Sequence, residues 1–197
     1  MANRSIEFFD TQFQRQIREG QFALNPFEEL ALPYLRGRIL DLGCGLGNLS
    51  VAAARQNCSV LALDASEHAI GRISAVAAAE GLAIDARPTN LATCRIVEEF
   101  DVIVSIGLLM FFDRSLAHEV LRNIQAHVRP GGYAIINTLI EGTTYLGMFE
   151  PGQYYLFESD ELQRSFSGWT ICEAQQSTFD APGETRKLFS TVIARRP

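Results

Sequence analysis

Two carboxylates and a run of glycines carry the clearest chemical signal in the chain. Ile39-Leu40-Asp41-Leu42-Gly43-Cys44-Gly45-Leu46-Gly47-Asn48 reads as a buried strand ending in a glycine turn that feeds a helix from Leu49 to about Gln56. A glycine has no Cβ, so the turn can be tight and a ligand can approach its main chain. The helix that follows begins with unpaired N–H groups. Asp41 puts one carboxylate at the strand's exit, and Asp64 ends the next apolar run, Val60 to Leu63. An acid about 20 residues beyond such a turn is placed to accept hydrogen bonds from ribose hydroxyls. This chemistry is the holding of a nucleoside-bearing cofactor. A dinucleotide fingerprint needs a small third residue in G-x-G-x-x-G/A. Asn48 occupies that position, which weighs against an NAD-type dehydrogenase without removing it.

These groups must be held by a scaffold, and the chain's patterning describes one. Residues 5–19 place Ile6, Phe9, Phe13 and Ile17 at helical spacing, with Gly20 as a stop. Asn25 reads as the N-cap of a second helix, with Pro26 first and Glu28 and Glu29 in the opening turn. From residue 38 strands and helices alternate. Strands are expected at about 38–42, 59–64, 83–88, 100–106 and 133–139. One helix runs from Ser66 to Glu80 with Gly81 as cap, and another is bounded by Arg129-Pro130-Gly131-Gly132. This alternation predicts a doubly wound parallel sheet. The chain then changes habit. A helix from Ser159, as N-cap, to Phe166 precedes two strands at about 169–177 and 187–194, joined through Asp180 to Glu184. A terminal hairpin is a second departure from the dehydrogenase pattern.

Composition narrows the function classes. The 47% hydrophobic and 20% charged content suits a globular domain with a sizeable core. No apolar run approaches the roughly 20 residues a membrane helix needs, and Met1-Ala2-Asn3-Arg4 does not begin a secretory signal. The expected location is therefore cytoplasmic, with no membrane partner. A net charge of −6 and a single lysine, Lys187, argue against a nucleic-acid partner, because phosphate backbones draw on clustered cations. Cys44, Cys58, Cys94 and Cys172 have no metal-like spacing. They are expected to be buried, reduced thiols, and no metal site is expected.

An acid two residues before G-x-G-x-G, a second acid ending the next strand and an antiparallel final pair resemble class I S-adenosylmethionine-dependent methyltransferases. Ser105-Ile106-Gly107-Leu108-Leu109-Met110-Phe111-Phe112, Arg129-Pro130-Gly131-Gly132-Tyr133 and Glu161-Leu162 through Gly168-Trp169 narrow the likeness to the TehB-type tellurite-resistance methyltransferases. With the glycine turn, the likeness spans roughly residues 38 to 194. The resemblance implies a Rossmann-like α/β fold with helices on both faces of a seven-stranded, mostly parallel sheet. It implies S-adenosyl-L-methionine as cofactor and S-adenosyl-L-homocysteine as product. It also implies cofactor-binding roles for Asp41, Gly43, Cys44, Gly45, Asp64, Ala65, Asn90, Leu91 and Ser105. Gly43 to Gly45 would pass the methionine part, Asp64 would hold the ribose, Asn90 would face the adenine amino group, and Ser105 would line the methionine end.

The TehB type carries a His-Arg pair before its last strand. Here Phe179 to Lys187 holds no histidine, and Arg186 is the nearby arginine. His68, His118 and His127 fall in expected helices and read as surface residues. Ile140 to Phe157 is long for a connection, and its glycines and aromatics suit a lid. Candidates for chemistry are Tyr145, Glu141 and Arg186. Methyl transfer from a sulfonium can rest on alignment alone, which favours a soft acceptor of thiol, selenium or tellurium type. The expected organisation is one domain over 1–197: a helical segment 1–37, a cofactor-binding core 38–140, a lid-like loop 141–157, and a helix and hairpin 158–197. A cofactor-binding sensor without turnover stands as the alternative to an enzyme acting on a small-molecule acceptor.

Overall fold

The computed structural model describes residues 3–197. Met1 and Ala2, on which the absence of a leader was read, lie outside the described residues. The chain begins with α1 (Asn3–Glu19) and α2 (Pro26–Ala31), followed by a 3-10 turn at Leu32–Tyr34. β1 (Arg38–Leu42), α3 (Asn48–Arg55), β2 (Ser59–Asp64), α4 (Glu67–Glu80), β3 (Ile84–Pro88) and β4 (Phe100–Ile106) then alternate. α5 (Arg114–His127), β5 (Val128–Leu139), α6 (Glu161–Ser165), β6 (Thr170–Ala181) and β7 (Thr185–Arg195) complete the chain. The seven strands form one sheet in the order β3-β2-β1-β4-β5-β7-β6. β1 to β5 pair in parallel, while β7 runs antiparallel to both β5 and β6.

Each sheet face is covered. One apolar cluster packs α3 and α4 against Ile39, Val60, Val102 and Ile135. The other packs α5 and α6 against Leu40, Ile103, Ile136 and Val192. Strand neighbours fall on opposite faces because successive side chains alternate. A strand buried on both faces therefore reads as a continuous apolar run.

The local signals for α2 and α4 match the observed caps. Asn25 Oδ1 accepts from Phe27 N at 2.9 Å and Glu28 N at 3.0 Å, while Glu28 accepts from Asn25 N at 2.8 Å, closing a capping box. Ser66 caps α4 by accepting from Ala69 N, and Gly81 ends it.

Five expectations need correction. Arg129 to Gly132 is not a turn between helix and strand but part of β5, carried as an irregularity between the Phe100 and Val102 pairings. Ser159 does not cap α6; that helix starts two residues later behind Asp160, whose side chain makes no cap bond. Cys94 and Cys172 are only partly buried, unlike Cys44 and Cys58. His118 is not a free surface residue: it is half-buried, with Nε2 2.9 Å from Glu161. The hairpin is also tighter than expected, with Ala181 paired to Thr185. Among the described residues, no helix is long and apolar enough to cross a membrane.

Candidate functional site

The carboxyl ends of the parallel strands form the edge at which open α/β sheets bind ligands. There the β1–α3 turn folds onto the end of β2. Gly43 N and Cys44 N donate to Leu63 O at 2.8 and 3.1 Å, and Gly47 N donates to Cys44 O at 2.9 Å. Gly47 is the N-cap of α3 with φ +70°, and a Cβ there would lie 2.5 Å from Ile73 of α4. No other residue type satisfies both conditions. The result is a turn whose outer surface is bare backbone.

Asp64 braces this turn. Its Oδ2 accepts from Gly45 N and its Oδ1 from Ser66 N, each at 2.9 Å. Each oxygen retains a further acceptor site. Burial pushes the Asp64 carboxyl up, opposed by the N–H groups of Ser66, Gly45 and Ala65. Asp41 is almost wholly buried and accepts from Ser50 Oγ at 2.6 Å. Burial drives it to about 7; the Ser50 bond opposes this, while the charges of Glu28 and Asp64 add to it. Glu28 is raised too, chiefly by burial. Three acids thus meet where a cation would relieve their desolvation. The Cys44 thiol is pushed well up by burial and by Asp41 and Asp64, which keeps it neutral.

These groups open into a cavity of about 420 Å³. The turn and the ends of β1, β2 and β4 form its floor, with Asp41, Gly43, Cys44, Gly45, Asp64, Ala65, Leu91 and Ile106 on the wall. Ile6, Phe9 and Phe13 of α1 form a roof, so the apolar face of that helix is turned onto the cavity rather than onto the sheet. Phe9 meets Phe111 edge-on at 5.2 Å, and Ser5 Oγ donates to Met148 O at 3.1 Å, closing α1 against the 141–157 loop.

Other residues singled out from the sequence lie elsewhere. Asn90 is exposed, and its Oδ1 accepts from Ala92 N within its own loop. Ser105 is fully buried with an unpartnered hydroxyl and is not on the cavity wall. Glu141 and Arg186 are exposed, and neither they nor Tyr145 line the cavity. In the loop, Phe149 is buried and stacks on Tyr154 at 4.7 Å, and Tyr155 donates to Glu161 at 2.9 Å.

Sequence reasoning passed over the far wall. Asn137 at the end of β5, Lys187 and Phe189 of β7, and Phe27 and Glu28 of α2 all face the cavity. Lys187 stood out as the chain's single lysine but was read only for net charge. The signal that could have found it is strand alternation: residues 187 and 189 share one face of β7, and Arg186 belongs to the other. Asn48, which breaks the dinucleotide fingerprint, also lines the cavity with an unpartnered Oδ1. Among the described residues there is no metal-binding cluster of His, Cys, Asp and Glu.

Comparison with known proteins places this architecture. Hemagglutinin 1 of Eikenella corrodens is 28% identical over 166 residues, covering 81% of this chain and 55% of that protein. The probable S-adenosyl-L-methionine-dependent methyltransferase TehB of Haemophilus influenzae strain 10810 is 26% identical over 166 residues, covering 81% and 57%. The chain thus spans little more than half the length of these relatives. The crystal structure of TehB from Haemophilus influenzae superposes with a TM-score of 0.78 at 22% identity, over 92% of this chain and 65% of that one, and so shares the fold. The family model described as tellurite resistance protein TehB matches residues 31–183, and the chain belongs to that family.

Proposed function

We propose that this protein is an S-adenosyl-L-methionine-dependent methyltransferase acting on a small molecule. The observation that carries the reading is the Asp64–Gly45 brace: a bare glycine turn held by a carboxylate with spare acceptor capacity, facing a roofed cavity. The residues fit the cofactor. Asp64 and the Gly43–Gly45 backbone would hold its ribose and methionine portions, and the buried Asp41 and the partly buried Glu28 would face its positive charge. Leu91 supplies an apolar wall for a base. When bound, the cofactor supplies an electrophilic methyl group on a sulfonium.

The chain's own part is to exclude water and align the acceptor. α1 and Met148 close the cavity, and alignment in a closed site can supply several kcal/mol of a displacement barrier. None of His68, His118 and His127 lines the cavity, so no imidazole is positioned as a base. That favours acceptors that ionise readily, of thiol, selenium or tellurium type, over alcohols. A net charge of −6 with a single lysine disfavours nucleic acid. Four free cysteines, two of them partly exposed, accord with a cytoplasmic setting. Calorimetry with S-adenosyl-L-methionine and NAD tests the reading. The expected result is micromolar-range binding of the first and none of the second, with S-adenosyl-L-homocysteine formed from a panel of soft acceptors. Tighter NAD binding overturns it.

A further inference from the structure

The end of the cavity away from Asp41 and Asp64 is built differently from the cofactor floor. It is formed where β5 and β7 lie side by side, with Leu139 paired to Phe189. Two polar groups there have unused bonding capacity. Asn137 is fully buried; its Nδ2 donates to Thr191 Oγ1 at 2.8 Å, and its Oδ1 has no partner. An unsatisfied buried acceptor costs on the order of 1–3 kcal/mol, so a ligand that donates to it is favoured. Lys187 is half-buried on the same wall. Its Nζ stands 4.7 Å over the Tyr145 ring and, among the described residues, forms no ion pair or hydrogen bond. The ring compensates the ammonium only in part. Phe27 and Phe189, with ring centroids 4.8 Å apart, add an apolar surface to this wall.

On the methyltransferase reading just given, we infer that the methyl acceptor is a small organic anion whose acidic group pairs with Lys187, whose apolar or aromatic body lies on Phe27 and Phe189, and whose hydrogen-bond donor reaches Asn137 Oδ1. A neutral acceptor would leave the half-buried Lys187 with only the partial compensation of the Tyr145 ring. A bare inorganic oxyanion would leave the phenyl wall without a partner. Burial already pulls the Lys187 ammonium below its usual range, and an arriving carboxylate reverses that trend.

The test compares 4-mercaptobenzoate with 4-mercaptobenzamide, both kept reduced. Their binding is measured by calorimetry to the full chain with and without S-adenosyl-L-homocysteine. Without methyl donor there is no turnover, so the readout is affinity. The acid is expected to bind about ten- to a hundredfold more tightly than the amide, the usual worth of a charge-assisted bond. Lys187→Gln should abolish that preference while S-adenosyl-L-homocysteine affinity stays within about twofold, which also shows the variant is folded. Lys187→Arg should keep most of the preference. Equal binding of the two probes, no binding of either, a preference that survives Lys187→Gln, or displacement of the acid by equimolar selenite overturns the inference. Failure of S-adenosyl-L-homocysteine to bind the unaltered protein, with the acid preference intact, overturns the methyltransferase reading instead and leaves an anion site.

Discussion

Asp64 has two duties, and its substitution separates them. It braces Gly45 and Ser66, and it is the candidate ribose partner. Asp64→Ala is expected to weaken S-adenosyl-L-methionine binding by roughly 1–3 kcal/mol, the cost of leaving polar groups without a charged partner. Titration calorimetry measures it, and an unchanged affinity would show that the ribose is held elsewhere. Asp41 gives a pH signature. Burial raises its carboxyl in the native state to about 7, from an ordinary value of 3.8. The native state therefore holds a proton that the unfolded state has released, and its stabilising effect is lost as pH rises from about 4 through 7. The loss is on the order of 4 kcal/mol at most for a shift of that size. Urea denaturation of the cofactor-free protein across that range should show the decline, and Asp41→Asn should remove much of it. A cationic cofactor prefers the ionised acids, so its affinity should rise about tenfold from pH 6 to 8 and then level. Asp64 and Glu28, raised in the same direction, reinforce that sign.

At the scale of elements, the entry into α3 is the most constrained point. Gly47→Ala imposes a left-handed residue at roughly 1–2 kcal/mol. It also drives a methyl into Ile73, adding about 1–3 kcal/mol of overpacking. A lower urea midpoint with unchanged slope is the expected outcome, and a midpoint equal to that of the unaltered protein would mean that α4 yields. Asn25→Ala should cost roughly 1 kcal/mol through loss of the capping box. It should also loosen cofactor binding slightly, because Phe27 and Glu28 follow directly and line the cavity. In the 141–157 loop, Phe149 sits within a cluster with Met110, Phe111, Leu139 and Met148. Phe149→Ala is therefore expected to lower stability by about 3–5 kcal/mol before it affects turnover. Exposed Leu146 offers a control whose truncation leaves stability nearly unchanged.

For the molecule as a whole, charge sets partner choice. A net charge of −6 is spread over a surface on which, among the described residues, six of the sixteen arginines pair with a carboxylate, as Arg38 does with Glu98, Arg55 with Glu80 and Arg164 with Glu158. Surface pairs of this kind add little stability, but they offset part of the positive charge that a phosphate backbone would draw on. A polarisation assay with single- and double-stranded probes at low salt, where such association is strongest, should show none. Tight, salt-sensitive binding would contradict the small-molecule reading.

What the linear chain determined is what local physics dictates. Glycines able to take positive φ, an Asn-Pro start with Glu at the right spacing, and strand-length apolar runs bounded by breakers specify β1, β2, β4, α4 and the start of α2 nearly to the residue, while the expected end of α2 before Gly37 gives way to a 3-10 turn after Ala31. Each depends on neighbours within a few positions. The glycine turn and Asp41 were legible for the same reason, since the spacing from Asp41 to Gly47 lies inside one strand-turn-helix unit, and Asp64 was legible as the end of the next apolar run. Tertiary structure decided everything that depends on residues distant in the chain. It brought Asn137 and Lys187, from paired strands, to one wall, and turned Phe9 and Phe13 onto the cavity. It seated Asn90 in its own loop bond and packed Phe149 into a core. A lysine near the start of β7 and an asparagine in an apolar strand have no local periodicity that marks them as neighbours. Only the register that pairs β5 with β7 gives them a common surface, and with it a candidate place for the acceptor.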